Sequence, residues 1–315
     1  MNKNIDIAAV GELLVDLTQK NIDGEVYFQR NAGGAPANML TMASRLGKKT
    51  ALIGKVGKDL FGYFLKDTVS RAGVDTSGLI LADYPTTLDF VSLDESGDRS
   101  FWFFREHSAD VMLSFEEFDK GIIDRCRVFH FGTVTMTVEP CRSATLEAVK
   151  YAKSKGKIIS YDPNYRDMLW KDKKEAVKIM DEMISCSDIV KISDNEIEML
   201  TGNRDYLSGA GQLIDRGVKF AFVTLGPDGC CYAASDGSSG YVPGFKVNAV
   251  DTTGAGDTFT GSVLSRLIDC DFNPSGSELE DIVRFANAAG AINATRRGAI
   301  AGMPAYEEII SMMKQ

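Results

Sequence analysis

Short apolar runs alternate with longer segments of helical periodicity through most of the chain. The runs are rich in β-branched residues and predict strands at residues 5–10, 50–56, 128–131, 158–161, 189–192 and 220–225. Segments between them carry apolar residues at helical spacing and predict helices at residues 35–46, 60–72, 140–155, 173–185 and 206–216. This alternation predicts an α/β fold with a mostly parallel central sheet flanked by helices on both faces. Ligands of such sheets bind at the carboxyl ends of the strands.

Two stretches break the alternation, at residues 13–30 and 86–105. The second stretch (TTLDFVSLDESGDRSFWFFR) has the composition of a hairpin that turns at residues 95–98. We expect residues 11–33 and 86–106 to form a small antiparallel lid subdomain inserted into a main α/β domain. That main domain would comprise residues 1–10, 34–85 and 107–315. From residue 255 the pattern is helical to the end, in segments 254–269, 277–296 and 304–313.

Composition narrows the class of protein. Hydrophobic residues make up 44% of the 315 residues and charged residues 25%, which is typical of globular domains and not of disordered, collagen-like or coiled-coil chains. The net charge of −9 argues against a dedicated nucleic-acid binder, which needs clustered basic residues. The apolar runs are shorter than the roughly 20 residues that span a bilayer, and acids at Asp6 and Glu12 do not fit a signal peptide. We therefore expect a cytoplasmic protein without a membrane partner.

Cysteine and histidine usage argues against two further classes of site. The six cysteines form no CxxC pair, and with only two histidines the chain offers no metal-binding spacing of Cys and His. We interpret the cysteines as reduced and mostly buried. The scarcity of histidine also disfavours a Ser-His-Asp hydrolase. Glycine, in contrast, is enriched: the 30 glycines exceed the average share of about 7%.

A glycine-rich turn at residues 251–262 (DTTGAGDTFTGS) leads into an apolar helical segment. Glycines permit positive φ and close backbone approach, and the first amides of a helix point outward, so the turn favours an anion site. Asp257 in that first turn would repel a bound phosphate but suits a base that deprotonates an attacking alcohol. A simple turn with a helix cap would use the same residue types. The sequence contains no GxxxxGK[ST], and no GxGxxG follows the first strand.

Several ordered motifs resemble the ribokinase-like (phosphofructokinase B type, PfkB) carbohydrate kinases. Residues 251–262 resemble the C-terminal signature of this family, and residues 31–38 (NAGGAPAN) with SRLG at 44–47 resemble its N-terminal signature. The other matching motifs are GELLVD at 11–16, KVGKD at 55–59, DPNYR at 162–166, NEIE at 195–198, TLG at 224–226 and ANAAG at 286–290. The resemblance covers essentially the whole chain and implies a three-layer ribokinase-like fold with a small β-sheet lid. Within the family, fructokinases are the most similar through GGAPAN, DPNYR and the aromatic run before Arg105.

The resemblance also implies roles for individual residues. Asp257 would be the catalytic base, the amides of Gly254, Ala255 and Gly256 the anion hole, and Arg166 a ligand of the substrate or of the transferring phosphate. Sugar hydroxyls would be bound by a set from the N-terminal motifs and the lid, namely Asp16, Gly33, Gly34, Asn38 and Arg105. A turn, a hinge or a helix cap would use several of the same residue types.

ATP and its metal ions would meet a second implied set of residues. ATP would be bound by Asn195, Thr224, Gly226, Gly229, Gly256 and Asn287. Glu198 would organise Mg²⁺ through water, as suits an ion that retains several waters. A monovalent cation such as K⁺ would bind largely to backbone carbonyls of Asp251, Thr253, Asn293, Arg296 and Gly298.

The implied activity is ATP-dependent phosphorylation of a sugar, most simply of D-fructose at O6. Alternatives within the family are a 2-keto-3-deoxygluconate kinase, because Arg105 and Arg166 could bind a carboxylate, and a riboside kinase. A non-catalytic sugar- or nucleotide-binding regulator on the same fold is the alternative of a different class, against which the intact GAGD motif argues. The lid strands would leave a sheet face or edge exposed, so we expect a homodimer formed through the lid.

Overall fold

The computed structural model describes residues 4–93 and 99–314, and it contains two separate β-sheets. Every strand and helix that the periodicity predicts is present, with ends that differ by a residue or two. The hairpin turn predicted at residues 95–98 lies outside the described residues. Within the described residues no helix is long and apolar enough to cross a membrane.

Fourteen strands are described, and their bounds follow in chain order. They are β1 (Ile5–Val10), β2 (Leu14–Ile22), β3 (Glu25–Gly33), β4 (Thr50–Gly57), β5 (Val74–Asp75), β6 (Leu79–Ala82), β7 (Leu88–Leu93), β8 (Arg99–Phe104), β9 (Cys126–Gly132), β10 (Ile158–Asp162), β11 (Ile189–Ser193), β12 (Phe220–Thr224), β13 (Gly229–Ala234) and β14 (Ser239–Pro243).

The α-helices of the described chain surround the larger sheet. They are α1 (Ala35–Arg45), α2 (Leu60–Arg71), α3 (Lys120–Arg125), α4 (Cys141–Ser154), α5 (Lys173–Ile184), α6 (Asp194–Thr201), α7 (Tyr206–Asp215), α8 (Ala255–Asp269), α9 (Gly276–Ala294), α10 (Ala299–Gly302) and α11 (Tyr306–Met313).

The larger sheet has the strand order β14-β13-β12-β11-β10-β9-β1-β4-β5, and β6 also pairs with β4. From β12 through β1 to β4 all pairs are parallel, as the alternation of strands and helices predicts. The hairpin of β13 and β14 extends the sheet in antiparallel fashion. The periodicity did not predict this hairpin, because its strands are short and are separated by a turn and not by a helix.

The central strands are buried on both faces, which gives the domain three layers. Along β1, Ile7 and Ala9 belong to the core beneath α1, α8 and α9, whereas Ala8 and Val10 belong to the core beneath α3, α4 and α5. This alternation is that of a parallel sheet covered by helices on both sides. The carboxyl ends of the strands are therefore the open edge at which a site can form.

Helices α1 and α8 approach each other closely at one glycine. A Cβ at Gly261 would lie 2.5 Å from the carbonyl oxygen of Met39 and 2.9 Å from Cβ of Met42. Only a residue without a side chain permits this distance between the two helices. The contact brings the first turn of α8 beside the first turn of α1.

The smaller sheet has the strand order β3-β2-β7-β8 and corresponds to the expected lid. Each of its hairpins is antiparallel, as expected, but the two hairpins join through the parallel pair β2 and β7. Strand β2 follows β1 and strand β7 follows β6, and both β1 and β6 run parallel to β4. The two segments thus leave the main sheet in the same direction, and this makes the seam parallel.

The two faces of the lid differ in chemistry. Asp16 and Asp89 are register partners on one face, where Asn31 Nδ2 also donates to Thr18 Oγ1 at 3.2 Å. A Cβ at Gly298 would lie 3.7 Å from Asn31 Oδ1, so this face is turned toward the main domain.

The opposite, outer face of the lid is aromatic. Phe90 makes edge-on contacts with Phe28 and Phe104, with ring centroids 5.2 and 5.3 Å apart. Trp102, the register partner of Phe90, is 62% exposed and Phe104 is 64% exposed. Part of this face packs on α2, and the remainder, around Trp102, is exposed. The lid thus presents polar residues to the strand ends of the main domain and exposed aromatic rings on its other face.

Candidate active site

The carboxyl ends of the central strands meet the start of two helices at one place. There, β1 leads into Glu12, β10 ends at Asp162, and α1 and α8 begin at Ala35 and Ala255. A cavity lies at this junction and is lined by Glu12, Ala35, Pro36, Met39, His130, Gly132, Val134, Asp162, Asn164 and Asp257. The predicted base therefore lies where the α/β architecture places a ligand site.

Asp257 is fixed by the helix that packs against its own. Asn38 Nδ2 on α1 donates a hydrogen bond to Asp257 Oδ2 at 2.8 Å. Burial raises the pKa of Asp257 to about 6, although the Asn38 hydrogen bond lowers it. The carboxylate is therefore ionised at neutral pH and still basic enough to accept a proton from an alcohol in a transition state.

The glycines before Asp257 are required by the backbone. Gly254 has φ of +80°, and a Cβ there would lie 2.5 Å from Cβ of Ala299. The amide of Ala255 donates to Thr252 O at 3.2 Å, so this member of the expected anion hole already has an acceptor in the turn. The amide of Gly256 follows in the same first turn, where N–H groups point along the helix axis toward its start and favour an anion.

A buried lysine lies beside the same helix start. Lys191 Nζ on β11 is 3.1 Å from Asp162 Oδ2, and a Cβ at Gly256 would lie 3.2 Å from Nζ. Burial lowers the pKa of Lys191, but the carboxylates of Asp162, Glu196 and Asp257 outweigh it and the pKa is raised overall. The ammonium therefore remains charged and supplies a local cation next to the expected anion hole.

His130 does not compete with Asp257 as a base. Its side chain is 2% exposed, and Nδ1 lies 3.0 Å from Ser160 Oγ. Burial, followed by the charge of Lys191, lowers the pKa of His130 to about 3. The ring is therefore neutral at neutral pH.

On the sugar side, the lid brings two carboxylates together. The side chain of Asp16 covers Gly33, where a Cβ would overlap Asp16 Oδ2. Burial, followed by the charge of Asp89, raises the pKa of Asp16 to about 7. Gly34, with φ of +116°, connects the lid to α1 and to Asn38. Four of the residues implied to bind sugar thus come from the same side of the junction.

Arg105, the fifth of these residues, is largely committed to internal contacts. It is 7% exposed; Nε donates to Asp110 Oδ2 at 2.7 Å and Nη1 to Thr137 Oγ1 at 2.8 Å. Burial lowers the pKa of Arg105, but the adjacent Asp110 raises it overall. Nη2 has no hydrogen-bond partner in the described part of the chain, so one nitrogen of the guanidinium remains to meet a ligand.

Arg166 is exposed, and its Nη1 donates to Tyr165 O at 3.0 Å. Its charge lowers the pKa of Asp16, Asp89 and Asp257, so the guanidinium acts electrostatically on both the lid carboxylates and the expected base. Glu196 fixes this loop, since its Oε1 accepts from the Tyr165 amide at 2.6 Å.

The residues implied to bind nucleotide extend from the end of β12 to α9. Thr224 ends β12, and Gly226 and Gly229 follow with φ of +57° and +111°. Asn287 is 9% exposed, and its Nδ2 donates to Val242 O at 3.1 Å and to Pro243 O at 3.3 Å. Its amide nitrogen thus joins α9 to the edge strand β14.

Asn195 and Glu198 lie at the start of α6, next to the end of β11. Asn195 is exposed, whereas Glu198 Oε1 accepts from Tyr206 Oη at 2.7 Å and lies 3.1 Å from Arg204 Nε. The hydrogen bond from Tyr206 and the charge of Arg204 lower the pKa of Glu198. In the described residues no group of three or more His, Cys, Asp or Glu side chains could enclose a metal ion.

Two loops bring together the residues implied to bind a monovalent cation. Asp251 accepts from the amides of Thr253 at 2.9 Å and Gly298 at 3.0 Å. Asn293 is fully buried; its Nδ2 donates to Ala299 O at 2.9 Å, while Oδ1 has no hydrogen-bond partner within residues 4–93 and 99–314. The Arg296 guanidinium pairs with Glu308, so only its backbone is available to the loop.

Sequence reasoning missed four charged residues that the structure brings to the site. They are Glu12, Asp89, Lys191 and Glu196. Glu12 Oε1 accepts from the Ala35 amide at 3.0 Å, and burial raises the pKa of Glu12 to about 7. A signal was present for Lys191 and Asp89, because each is a charged residue inside an otherwise apolar strand.

Comparison with known proteins shows the family of this chain. A model of the pfkB family carbohydrate kinases matches residues 4–306. Fructokinase-1 of Oryza sativa subsp. japonica is 40% identical over 318 residues, which cover 98% of this chain and 97% of that protein.

Solved structures are similar over the same length. A fructokinase from Xylella fastidiosa with bound ATP has a TM-score of 0.88 at 31% identity and covers 98% of both chains. A fructokinase double mutant from Vibrio cholerae O395 with fructose, ADP and a potassium ion bound has a TM-score of 0.85 at 30% identity, over 99% of this chain and 100% of that one. The expected ribokinase-like fold is confirmed, and the chain belongs to the pfkB family of carbohydrate kinases.

Proposed function

We propose that this protein is an ATP-dependent fructokinase that converts D-fructose and ATP to fructose 6-phosphate and ADP. The observation that carries the proposal is the Asp257 carboxylate, fixed by Asn38 at the start of α8, with its pKa raised by burial to about 6. The full-length similarity to fructokinases supports fructose as the acceptor.

In the proposed reaction the O6 oxygen of fructose attacks the γ-phosphorus of ATP. The bond between the γ-phosphorus and the β,γ-bridging oxygen breaks, ADP leaves with the electron pair of that bond, and the O6 proton passes to Asp257. Negative charge on the transferring group is stabilised by the first turn of α8 and by the ammonium of Lys191. Arg166, whose charge lowers the pKa of Asp257, is proposed to bind the same group or the sugar.

The charges at the sugar end favour a neutral sugar over a keto acid. Two nitrogens of Arg105 already donate hydrogen bonds to Asp110 and Thr137, which leaves one nitrogen for a substrate carboxylate. Asp16 and Asp89 lie side by side on the inner face of the lid and would repel an anion. We therefore rank fructose above 2-keto-3-deoxygluconate.

The proposed ATP site runs from Thr224, Gly226 and Gly229 to Asn287, with Asn195 and Gly256 nearer the phosphates. Mg²⁺ retains several waters and binds chiefly through phosphate oxygens, so a site without a protein cage of carboxylates fits this ion. We propose that Glu198 contacts it through water. Mg²⁺, when bound, neutralises charge on the triphosphate.

A monovalent cation fits residues 251–253 and residues 293–298, which run from the end of α9 into the following loop. In the part of the chain that the structure describes, the buried Oδ1 of Asn293 has no hydrogen-bond donor, and such an oxygen suits a hard cation such as K⁺. We propose that K⁺ binds there with backbone carbonyls and raises activity. Equal activity with potassium and with tetramethylammonium as the sole monovalent cation would contradict this.

Three further proposals concern the organisation of the molecule. Residues 11–33 and 86–106 are proposed to act as the lid of the main domain formed by residues 1–10, 34–85 and 107–315. The aromatic outer face of the lid supports a homodimer in which two such faces are buried against each other. Six free cysteines support a reducing, cytoplasmic location.

A substrate panel tests the proposed function. Purified protein with Mg-ATP is assayed for ADP release with fructose, 2-keto-3-deoxygluconate, ribose, glucose and nucleosides, and the product position is read by NMR. We expect the highest kcat/KM for fructose and phosphorylation at O6. A preference for the keto acid would contradict fructokinase activity, and absence of ADP release with every compound would favour a non-catalytic regulator.

A further inference from the structure

Asp89 is a buried carboxylate that the contacts of the fold do not explain. It lies on β7 of the lid and is 3% exposed. Its Oδ1 is buried without a hydrogen-bond partner in the described part of the chain. Among the described residues no cation forms an ion pair with it, and the one cation that lowers its pKa is the exposed Arg166. Burial of a carboxylate with one unpartnered oxygen is costly, so a fold alone would not be expected to retain it.

The position of Asp89 relates it directly to the sugar end of the site. It is the register partner of Asp16 across the parallel seam between β2 and β7. Neighbouring strands lie about 4.8 Å apart, and register partners present their side chains to the same face. That face is turned toward the main domain, because Asn31 Oδ1 lies 3.7 Å from the position that a Cβ of Gly298 would occupy.

The charged groups around Asp89 also support its place at the site. The charge of Asp89 is the largest contribution after burial to the raised pKa of Asp16, and Arg166 lowers the pKa of both carboxylates and of Asp257. These three acidic groups therefore share one electrostatic environment. A backbone hydrogen bond involving Trp102 also lowers the pKa of Asp89 and anchors its carboxyl group to β8.

We infer that Asp89 is a substrate-binding residue, whose free oxygen accepts a hydrogen bond from a hydroxyl group of the acceptor sugar beside the hydroxyl bound by Asp16. Two adjacent carboxylates form a pair of acceptors spaced for two hydroxyl groups of one polyol. The inference rests on the proposed sugar kinase activity and deepens it, since it makes the lid seam a determinant of which sugars bind. A substrate hydroxyl would also supply the donor that the buried oxygen lacks.

The test combines variants of Asp89 with sugars that lack single hydroxyl groups. Asp89→Asn and Asp89→Ala are compared with Asp23→Asn, which removes the same charge from the exposed turn of the β2–β3 hairpin. KM for sugar, KM for ATP and kcat are measured with the best sugar of the panel and with its deoxy analogues.

We expect Asp89→Ala to raise KM for the sugar by ~10–100-fold, the usual effect of losing a hydrogen bond to a charged group, with KM for ATP nearly unchanged. One deoxy analogue should bind poorly to the wild-type protein, and Asp89→Ala should bind this analogue and the parent sugar equally. The KM of Asp89→Asn for the sugar should fall between those of the wild type and Asp89→Ala, and the KM of Asp23→Asn should match that of the wild type.

Thermal unfolding distinguishes a binding role from a structural one. If Asp89 serves the substrate, Asp89→Ala should leave the Tm of the apo protein unchanged or higher and should reduce the rise in Tm that the sugar causes. A lower apo Tm with an unchanged KM for sugar would overturn the inference, as would unaltered discrimination among the deoxy analogues. If the panel shows a preference for a sugar other than fructose, only the proposed acceptor is wrong, and the Asp89 variants are then tested with that sugar. A protein that phosphorylates no sugar overturns both.

Discussion

Four carboxylic acids lie at the end of the site where the acceptor is expected; Glu12 and Asp89 are buried, and Asp16 and Asp257 are half-buried. Removal from water raises the pKa of each, to about 7 for Glu12 and Asp16 and to about 6 for Asp89 and Asp257. Their protonation therefore changes around neutral pH, and we expect different members to affect binding, catalysis and stability.

Replacement of Asp257 by Asn tests the base. The Asn side chain can occupy the same place beside Asn38 but cannot accept the hydroxyl proton, so kcat should fall by ~10²–10⁴-fold with sugar affinity nearly unchanged. Steady-state kinetics and calorimetric titration of the sugar measure the two effects. Near-normal turnover would remove Asp257 from this role.

The pH dependence of kcat/KM for the sugar should show an acid limb. Asp257 must be ionised to act as a base, and its pKa is about 6, so activity should rise with pH through this value. Because Asp16 titrates near 7, the limb should be broader than that of a single group. A rate that is flat between pH 5 and 8 would contradict the assignment.

The stability of the apo protein should respond to pH in the opposite sense. The folded-state pKa of Asp16 lies above its ordinary value of 3.8, so the stability that this group contributes is present below pH 4 and is lost as pH rises through about 7. Asp16→Asn should therefore gain stability relative to the wild type between pH 4 and pH 8. Denaturant melts at several pH values test this, and a constant difference would refute it.

At the scale of single residues, the sequence predicts the roles of residues in motifs better than the roles of residues that depend on distant partners. Asp257 and Asn38 stand in glycine-rich signatures, and the structure brings them to 2.8 Å. The commitment of Arg105 to Asp110 and Thr137 depends on how the chain leaves β8, which no local pattern encodes. Asp89 lies in no motif, and its partner Asp16 is distant in sequence.

At the scale of elements, periodicity predicts the parallel strands and their helices because both faces of the sheet must be covered. It fails for the β13–β14 hairpin and for the parallel seam of the lid. Both depend on pairing between strands, and the seam also depends on the direction in which β1 and β6 leave the main sheet.

The contact between α1 and α8 permits a test at this scale. Gly261→Ala would place a Cβ 2.5 Å from the Met39 carbonyl and force the helices apart. We expect a lower Tm and a lower kcat, because Asn38 would no longer align Asp257. Gly211→Ala in α7 is the matched control; its Cβ would meet nothing within 4 Å and should stabilise the helix by about 0.5–1 kcal/mol. Equal behaviour of the two variants would contradict this account of the packing.

At the scale of the whole molecule, local positive charge allows an acidic chain to bind an anionic substrate. Lys191, Arg166 and the start of α8 supply positive potential at one junction, although the net charge is −9. The overall negative charge therefore does not exclude small anionic ligands.

The outer face of the lid gives a prediction about assembly. The wild type should sediment as a dimer, and Trp102→Glu should shift it toward the monomer, because a charge would be buried between two aromatic faces. Analytical ultracentrifugation over a range of concentrations measures this. A wild type that is monomeric at high concentration, or a variant that dimerises equally well, would contradict the proposed interface.

Gly33 and Gly34 have one further consequence. They lie where the lid returns to the main domain; Gly33 lies against the Asp16 side chain, and Gly34 leads into the helix that bears Asn38. The lid is thus attached to the main domain through residues that we propose to bind the sugar. A mutation of Gly33 or Gly34 that changes sugar preference will also alter the geometry of this attachment. Directed evolution toward new sugars should therefore proceed more readily through the seam between the hairpins than through these two glycines.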